Sequence, residues 1–206
     1  DHYIDLANRT EINAYVIDIK SDWGIITYRS EIEDVRAAKA CRDDIDIRKI
    51  IKKFHDNNIR VIGRVVTFKD SVITKYKPEL AIHHNGKLFD QSGNGGGVYW
   101  LDATNRKSWE YILAIVQEAI NYGFDEIQFD YVRFPETSLY EYELSNLEEG
   151  RERREYIEEF LDYIRKNVPE DTILSADIFG MPLISSKDHG EIGQTLESIG
   201  WDLDYI

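Results

Sequence analysis

The chain has 206 residues, 42% hydrophobic and 31% charged, the balance of a globular protein with enough apolar material for one good-sized core. Its formal net charge of −14 argues against nucleic acid or anionic lipid as a partner; it fits a neutral or cationic ligand, and equally an ordinary acidic surface. The single cysteine, Cys41, excludes an intrachain disulfide and a cysteine-based metal site, and no apolar run approaches the ~18 residues of a membrane span.

The chain opens on a helix-like "DHYIDLANRT", then enters "INAYVIDIK" (12–20), apolar on both faces as a buried parallel strand should be. "DIDIRKIIKKFHDNN" places Ile47, Ile50, Ile51 and Phe54 on one helical stripe, with Asn57 and Asn58 suited to a C-terminal cap. A second strand, "IRVIGRVVTF" (59–68), leads into a connection running to about Thr104, far longer than the ~2–6 residues usual for such turns. Within it "SGNGGG" (92–97) lacks the Lys-Ser/Thr of a phosphate loop and reads as a flexible loop. "HHNG" offers His83 and His84, but adjacent histidines alternate faces and no third ligand lies at metal spacing, so no metal is expected.

Trp109, Ile112, Leu113, Val116 and Ile120 then mark a helix stopped by Gly123. Strand "DEIQFDYVRF" (125–134) follows, then a second long connection from Pro135 to about Gly150. Tyr156, Ile157, Phe160, Leu161 and Ile164 form the stripe of the next helix, which ends before Pro169. "TILSADIFG" (172–180), a short helix in "GEIGQTLESIG" and a strand-like "DLDYI" (202–206) complete the order.

Strand–helix alternation means βαβ units and a parallel sheet, either doubly wound or a barrel. No Gly-x-Gly-x-x-Gly follows the first strand, so the dinucleotide-binding form loses support and no cofactor is expected. The expectation is an α/β TIM (β/α)8 barrel forming one domain over 1–206. A full barrel takes ~250 residues, so this one is expected to be incomplete, without its first strand and its last two or three.

Polar residues gather at the C-terminal strand ends: Asp18 and Lys20, Arg64, Asp130, Asp177. In an α/β fold that edge is where sites are built. Side chains alternate along a strand, so if Ile127 and Phe129 face helices, Gln128 and Asp130 point the other way, as do Ser175 and Asp177 beyond Leu174 and Ala176. Adjacent strands lie ~4.8 Å apart, which makes Asp130 and Asp177 a candidate carboxylate pair for glycoside hydrolysis. A cation such as Arg133 or Arg64 would keep one acid ionised while burial held the other protonated. A lone Asp at such a junction also serves as a helix cap or ion-pair partner. Among the loop aromatics Trp23, Tyr131 and Trp100, the last in "VYWLDATN" beside Asp102, are candidates to stack on or contact sugar.

The segments "INAYVIDIKSDWGIITY", "GRVVTFKDSVITKYKPELAI", "GFDEIQFDYVRFPE", "SADIFG" and "IGQTLESIGWDLDYI" together resemble a bacterial domain family described as a glycoside hydrolase domain and grouped with the (β/α)8 glycosidases. The resemblance covers almost the whole chain. It implies a strand ahead of residues 1–9 and more after "DYI", making 125–134 the fourth strand. By the analogy of α-amylase-like barrels it implies Asp130 as nucleophile and Asp177 as acid, where those relatives carry Glu. It further implies a carbohydrate substrate and an extracellular or cell-surface location. Two other functions stay open: a non-catalytic carbohydrate-binding barrel that kept the pocket, and a metal- or phosphate-dependent barrel enzyme.

Overall fold

A computed structural model describes residues 1–136 and 142–206. In chain order the elements are α1 (His2–Asn8), β1 (Ala14–Lys20), α2 (Glu33–Ala37), α3 (Ile47–His55), β2 (Arg60–Val66), α4 (Ile73–Tyr76), β3 (His83–His84), β4 (Lys87–Leu88), α5 (Arg106–Tyr122), β5 (Glu126–Asp130), α6 (Arg153–Lys166), β6 (Ile173–Ala176) and α7 (Leu196–Ile199).

The four strands expected from the apolar runs all form. They pair in parallel in the linear order β1-β2-β5-β6, an α/β architecture with helical crossovers. The strand-like "DLDYI" extends the same sheet: Asp204 donates its backbone N–H to Leu174 O at 2.8 Å, and Ser175 bridges Tyr205 in parallel.

The helices start and stop where their cap residues dictate. Asp46 accepts a hydrogen bond from Lys49 N ahead of α3, and Asn58 ends that turn with φ +57°. Asn105 caps α5 through Lys107 N, and Gly123 closes it in the left-handed region that glycine adopts without a Cβ clash. Glu152 and Glu155 form a capping box at α6.

All five stripe residues of α6 are buried, and four of the five on α5, with Ile120 only partly so. Phe160 joins the layers: its ring meets Phe68 at 4.9 Å, Trp109 at 5.8 Å and Phe129 at 6.0 Å. Each such large apolar side chain contributes ~1.5–3 kcal/mol when taken from water.

Ile127, Phe129 and Leu174 are fully buried on this helical side. The opposite face departs from the expectation of strands buried on both sides. There Val16 is 51% exposed, and Asp18, Arg64 and Gln128 reach solvent. That open face carries the polar row.

The connection after β2 is a folded excursion rather than a loose loop. "HHNG" makes a hairpin turn, with Asn85 and Gly86 both at positive φ, so the two histidines are paired strand residues. The glycine-rich stretch is tied down by Asp90, whose carboxylate accepts from Ser92, Gly97 and Val98. Of the connection after Pro135, residues 137–141 lie outside the described residues.

Candidate active site

The register of β5 against β6 answers where the two acids stand. Gln128 pairs with Ser175 and Phe129 with Ala176; Asp177 N donates to Phe129 O at 2.8 Å, carrying the ladder one step past β6. Asp130 and Asp177 are therefore the next opposed residues, both on the open face, with backbones ~4.8 Å apart. They line one cleft of about 220 Å³ with Tyr131, Arg133, Ile178, Phe179 and Gln194.

Their surroundings differ. Asp130 Oδ2 accepts from both Nε (3.0 Å) and Nη2 of Arg64, and its Oδ1 accepts from the backbone N–H of Tyr131 at 2.7 Å. Arg64 stands opposite Asp18 on β1 and Gln128 on β5, and gathers three acids: its Nη1 meets Asp18 at 3.0 Å and its Nη2 meets Asp22 at 3.1 Å. These contacts hold the guanidinium pKa above its ordinary value, against the opposing effect of burial.

Asp177 has no cationic partner at ion-pair distance among the described residues; Gln128 Nε2 donates to its Oδ1 at 3.2 Å. Partial burial raises the Asp177 carboxyl above the usual carboxylate range, the nearby Asp130 charge raises it further, and Arg64 opposes both. One acid is held between guanidinium and amide donors, and its neighbour is biased toward the proton-bearing form. That division of labour is the one acid–base chemistry needs.

Tyr131 follows Asp130 at φ +50°, a left-handed conformation that costs a non-glycine residue ~1–3 kcal/mol and concentrates at functional sites. Its ring is held between Trp100, at 5.7 Å between centroids, and Lys69, whose Nζ lies 4.6 Å above it. Arg133 stacks over Phe179 at 4.5 Å, Trp100 at 5.1 Å and Tyr131 at 5.3 Å, facing the same cleft.

The structure thus brings together Asp18, Arg64, Gln128, Asp130, Tyr131, Arg133 and Asp177. Three expected contact residues are engaged elsewhere. Lys20 shares the parity of Val16 and Asp18, but the register shifts between Asp18 and Lys20, and this irregularity turns Lys20 away from the open face. Its side chain is fully buried. Nζ meets Val66 O at 2.7 Å, Lys69 O at 2.9 Å and Asp70 Oδ2 at 3.1 Å, a support beneath the β2 end. Asp102 is likewise buried, accepting from Thr104 and from Ser145 N to fix the turn into α5. Trp100 is buried behind Tyr131, with Nε1 bonded to Gln91, so it backs the wall rather than lining it. Trp23 is 58% exposed beside Asp22.

Sequence reasoning missed Asp22, Lys69, Phe179 and Gln194. Asp22 had a signal, standing four residues past Asp18 in a run that already ends a strand. Gln194 had none: it reaches the cleft from the far end of the chain, its amide bridging Val132 O and Phe179 N.

With this geometry in hand, the family match is decisive: a family model described as "putative glycosyl hydrolase domain" matches residues 1–206. The chain belongs to that family. A crystal structure of a hypothetical protein from Ruminiclostridium thermocellum ATCC 27405 is 49% identical and superposes with TM-score 0.77 over 87% of this chain and 90% of that one. Two enzymes share the fold at low identity. An α-L-fucosidase from Paenibacillus thiaminolyticus (14% identity, TM-score 0.63) aligns with 85% of this chain and 28% of its own. The α-galactosidase TtGalA from Thermus thermophilus (16%, TM-score 0.58) aligns with 85% and 33%. The chain spans about a third of the length of these two enzymes. No curated protein matches it by sequence.

Proposed function

We propose that the chain is a glycoside hydrolase domain, part of a TIM-type barrel, that cleaves an O-glycosyl bond in an oligo- or polysaccharide with Asp130 and Asp177. The observation that carries this reading is the opposed pair on one cleft, one carboxylate clamped by Arg64 and the other raised toward its protonated form. Asp177 gives its proton to the leaving glycosidic oxygen while Asp130 attacks the anomeric carbon. Asp177, now a carboxylate, then takes a proton from the water that hydrolyses the glycosyl–Asp130 ester. Neighbouring strands at ~4.8 Å favour the short carboxyl separation of ~5–5.5 Å and hence retention of configuration.

A second reading has one observation in its favour. Both oxygens of Asp130 are already engaged, as in a structural anchor, which suits a glycan-binding barrel without turnover. An assay of reducing-end release across a polysaccharide panel, with the first-formed anomer followed by NMR, separates the two. Release with retention supports the hydrolase. Glycan binding without release supports the second reading. The family resemblance adds the expectation of an extracellular or cell-surface location.

A further inference from the structure

The cations of the cleft are unequally matched. Arg64 has Asp18, Asp22 and Asp130, and Lys69 has Asp22 at 3.7 Å. Arg133 has no carboxylate at ion-pair distance among the described residues, although only 7% of it is exposed. Among the described residues its guanidinium donates from Nη1 to Phe134 O at 3.0 Å. Burial pulls its pKa down, against the charges of Glu136, Tyr131, Asp130 and Tyr142.

Burying a guanidinium is costly unless an anion pairs with it, so a site that shelters one can take a ligand that supplies that anion. The rings of Phe179, Trp100 and Tyr131 lie 4.5 Å, 5.1 Å and 5.3 Å from its guanidinium carbon, and ring packing on a guanidinium face competes little with hydrogen bonding in its plane. The planar N–H edge matches a carboxylate through two parallel hydrogen bonds. The cleft holds the acid pair and Arg133 together, so the anion it accepts belongs to the sugar being processed. Of the two acids there, Asp130 is paired with Arg64, which screens part of its charge, and Asp177 is biased toward its neutral form, so neither repels that anion at full strength.

We infer that the cleft recognises a hexuronic acid residue, whose carboxylate docks on Arg133 beside the Asp130–Asp177 pair. This rests on the glycan-processing reading above and adds its substrate class.

The test compares oligosaccharides of galacturonic and glucuronic acid with their methyl esters and with neutral oligosaccharides, by calorimetry on the intact chain. The free acids are expected to bind at least tenfold more tightly than the esters. Arg133→Gln should remove the preference of free acid over ester, and Arg133→Lys, which keeps the charge but loses the fork, should restore it only in part. The acid–ester comparison uses the unaltered protein, so it stands even if the variants fold poorly. Equal or tighter binding of esters or neutral sugars overturns the uronic acid inference and leaves the glycan reading intact. No binding to any member overturns both.

Discussion

Replacing Arg64 by Gln removes the cation on which Asp18, Asp22 and Asp130 converge. Asp18 and Asp22 are 46% and 42% exposed, so each of those pairs is worth only ~0.2–1 kcal/mol. The contact to Asp130 is better sheltered, with side chains 20% and 23% exposed, and its charge-assisted hydrogen bonds contribute ~1.5–3 kcal/mol. Hydration of the freed acids offsets part of the loss, leaving an expected destabilisation of ~2–4 kcal/mol. For a chain of this length that lowers Tm by ~5–15 °C. Urea unfolding followed by circular dichroism measures it, with Arg64→Lys expected to lose about half as much because it keeps charge without the fork. The variant has a second readout: Arg64 holds the Asp177 pKa down, so its removal should move that pKa further up. A loss under ~0.5 kcal/mol at unchanged m-value, with Asp177 unmoved, would refute the reasoning that Arg64 organises the site.

Further consequences follow from the same contacts. Asp177 titrates above the ordinary carboxylate value, so its protonation favours the folded state; that contribution is full at low pH and fades as pH rises through the window between the unfolded and folded values. If it is the acid, kcat must fall as pH rises through its folded-state pKa, and in Asp130→Asn the carboxyl resonance of Asp177 should titrate lower than in the unaltered protein; an unmoved titration would mean the two acids are not coupled. Lys20→Met leaves the buried Asp70 carboxylate without its cation, with only Val72 N, Ile73 N and Tyr111 Oη as donors, and should cost ~3–5 kcal/mol in chemical unfolding. A near-neutral result would show that these neutral donors suffice without the ammonium. Gly24→Ala places a Cβ 1.9 Å from Asp70 Oδ1 at a backbone φ of +89°, so a large loss of stability, read as a drop in Tm, is expected there too.

What could be read from the residues, and what could not, divides along a physical line. Period-2 alternation placed Ile127 and Phe129 under the helices and Asp130 opposite Asp177, because in a parallel ladder register follows from which face is apolar. Helix stripes and stops were equally local: α3, α5 and α6 form where their apolar stripes lie, and α5 ends at Gly123. Lys20 was expected at the site because it ends a strand, yet one irregularity in the β1–β2 register swings it off the open face, and the sequence carries no sign of such a slip. Trp100 looked like a sugar platform because aromatic rings in strand-end loops serve both packing and binding; burial distinguishes them, and burial of a loop depends on what packs over it. Gln194 depends on tertiary approach to Phe179, which no spacing along the chain encodes, whereas Asp22 was signalled by its nearness to Asp18.

The central claim is that Asp130 and Asp177 act as one catalytic pair on a glycosidic bond. Kinetics of Asp130→Asn and Asp177→Asn, on whichever glycan the unaltered protein hydrolyses, tests it most directly. Each variant should lose ~10²-fold or more in kcat with its fold and glycan binding retained. Hydrolysis within tenfold of the unaltered rate in either variant would contradict the pairing.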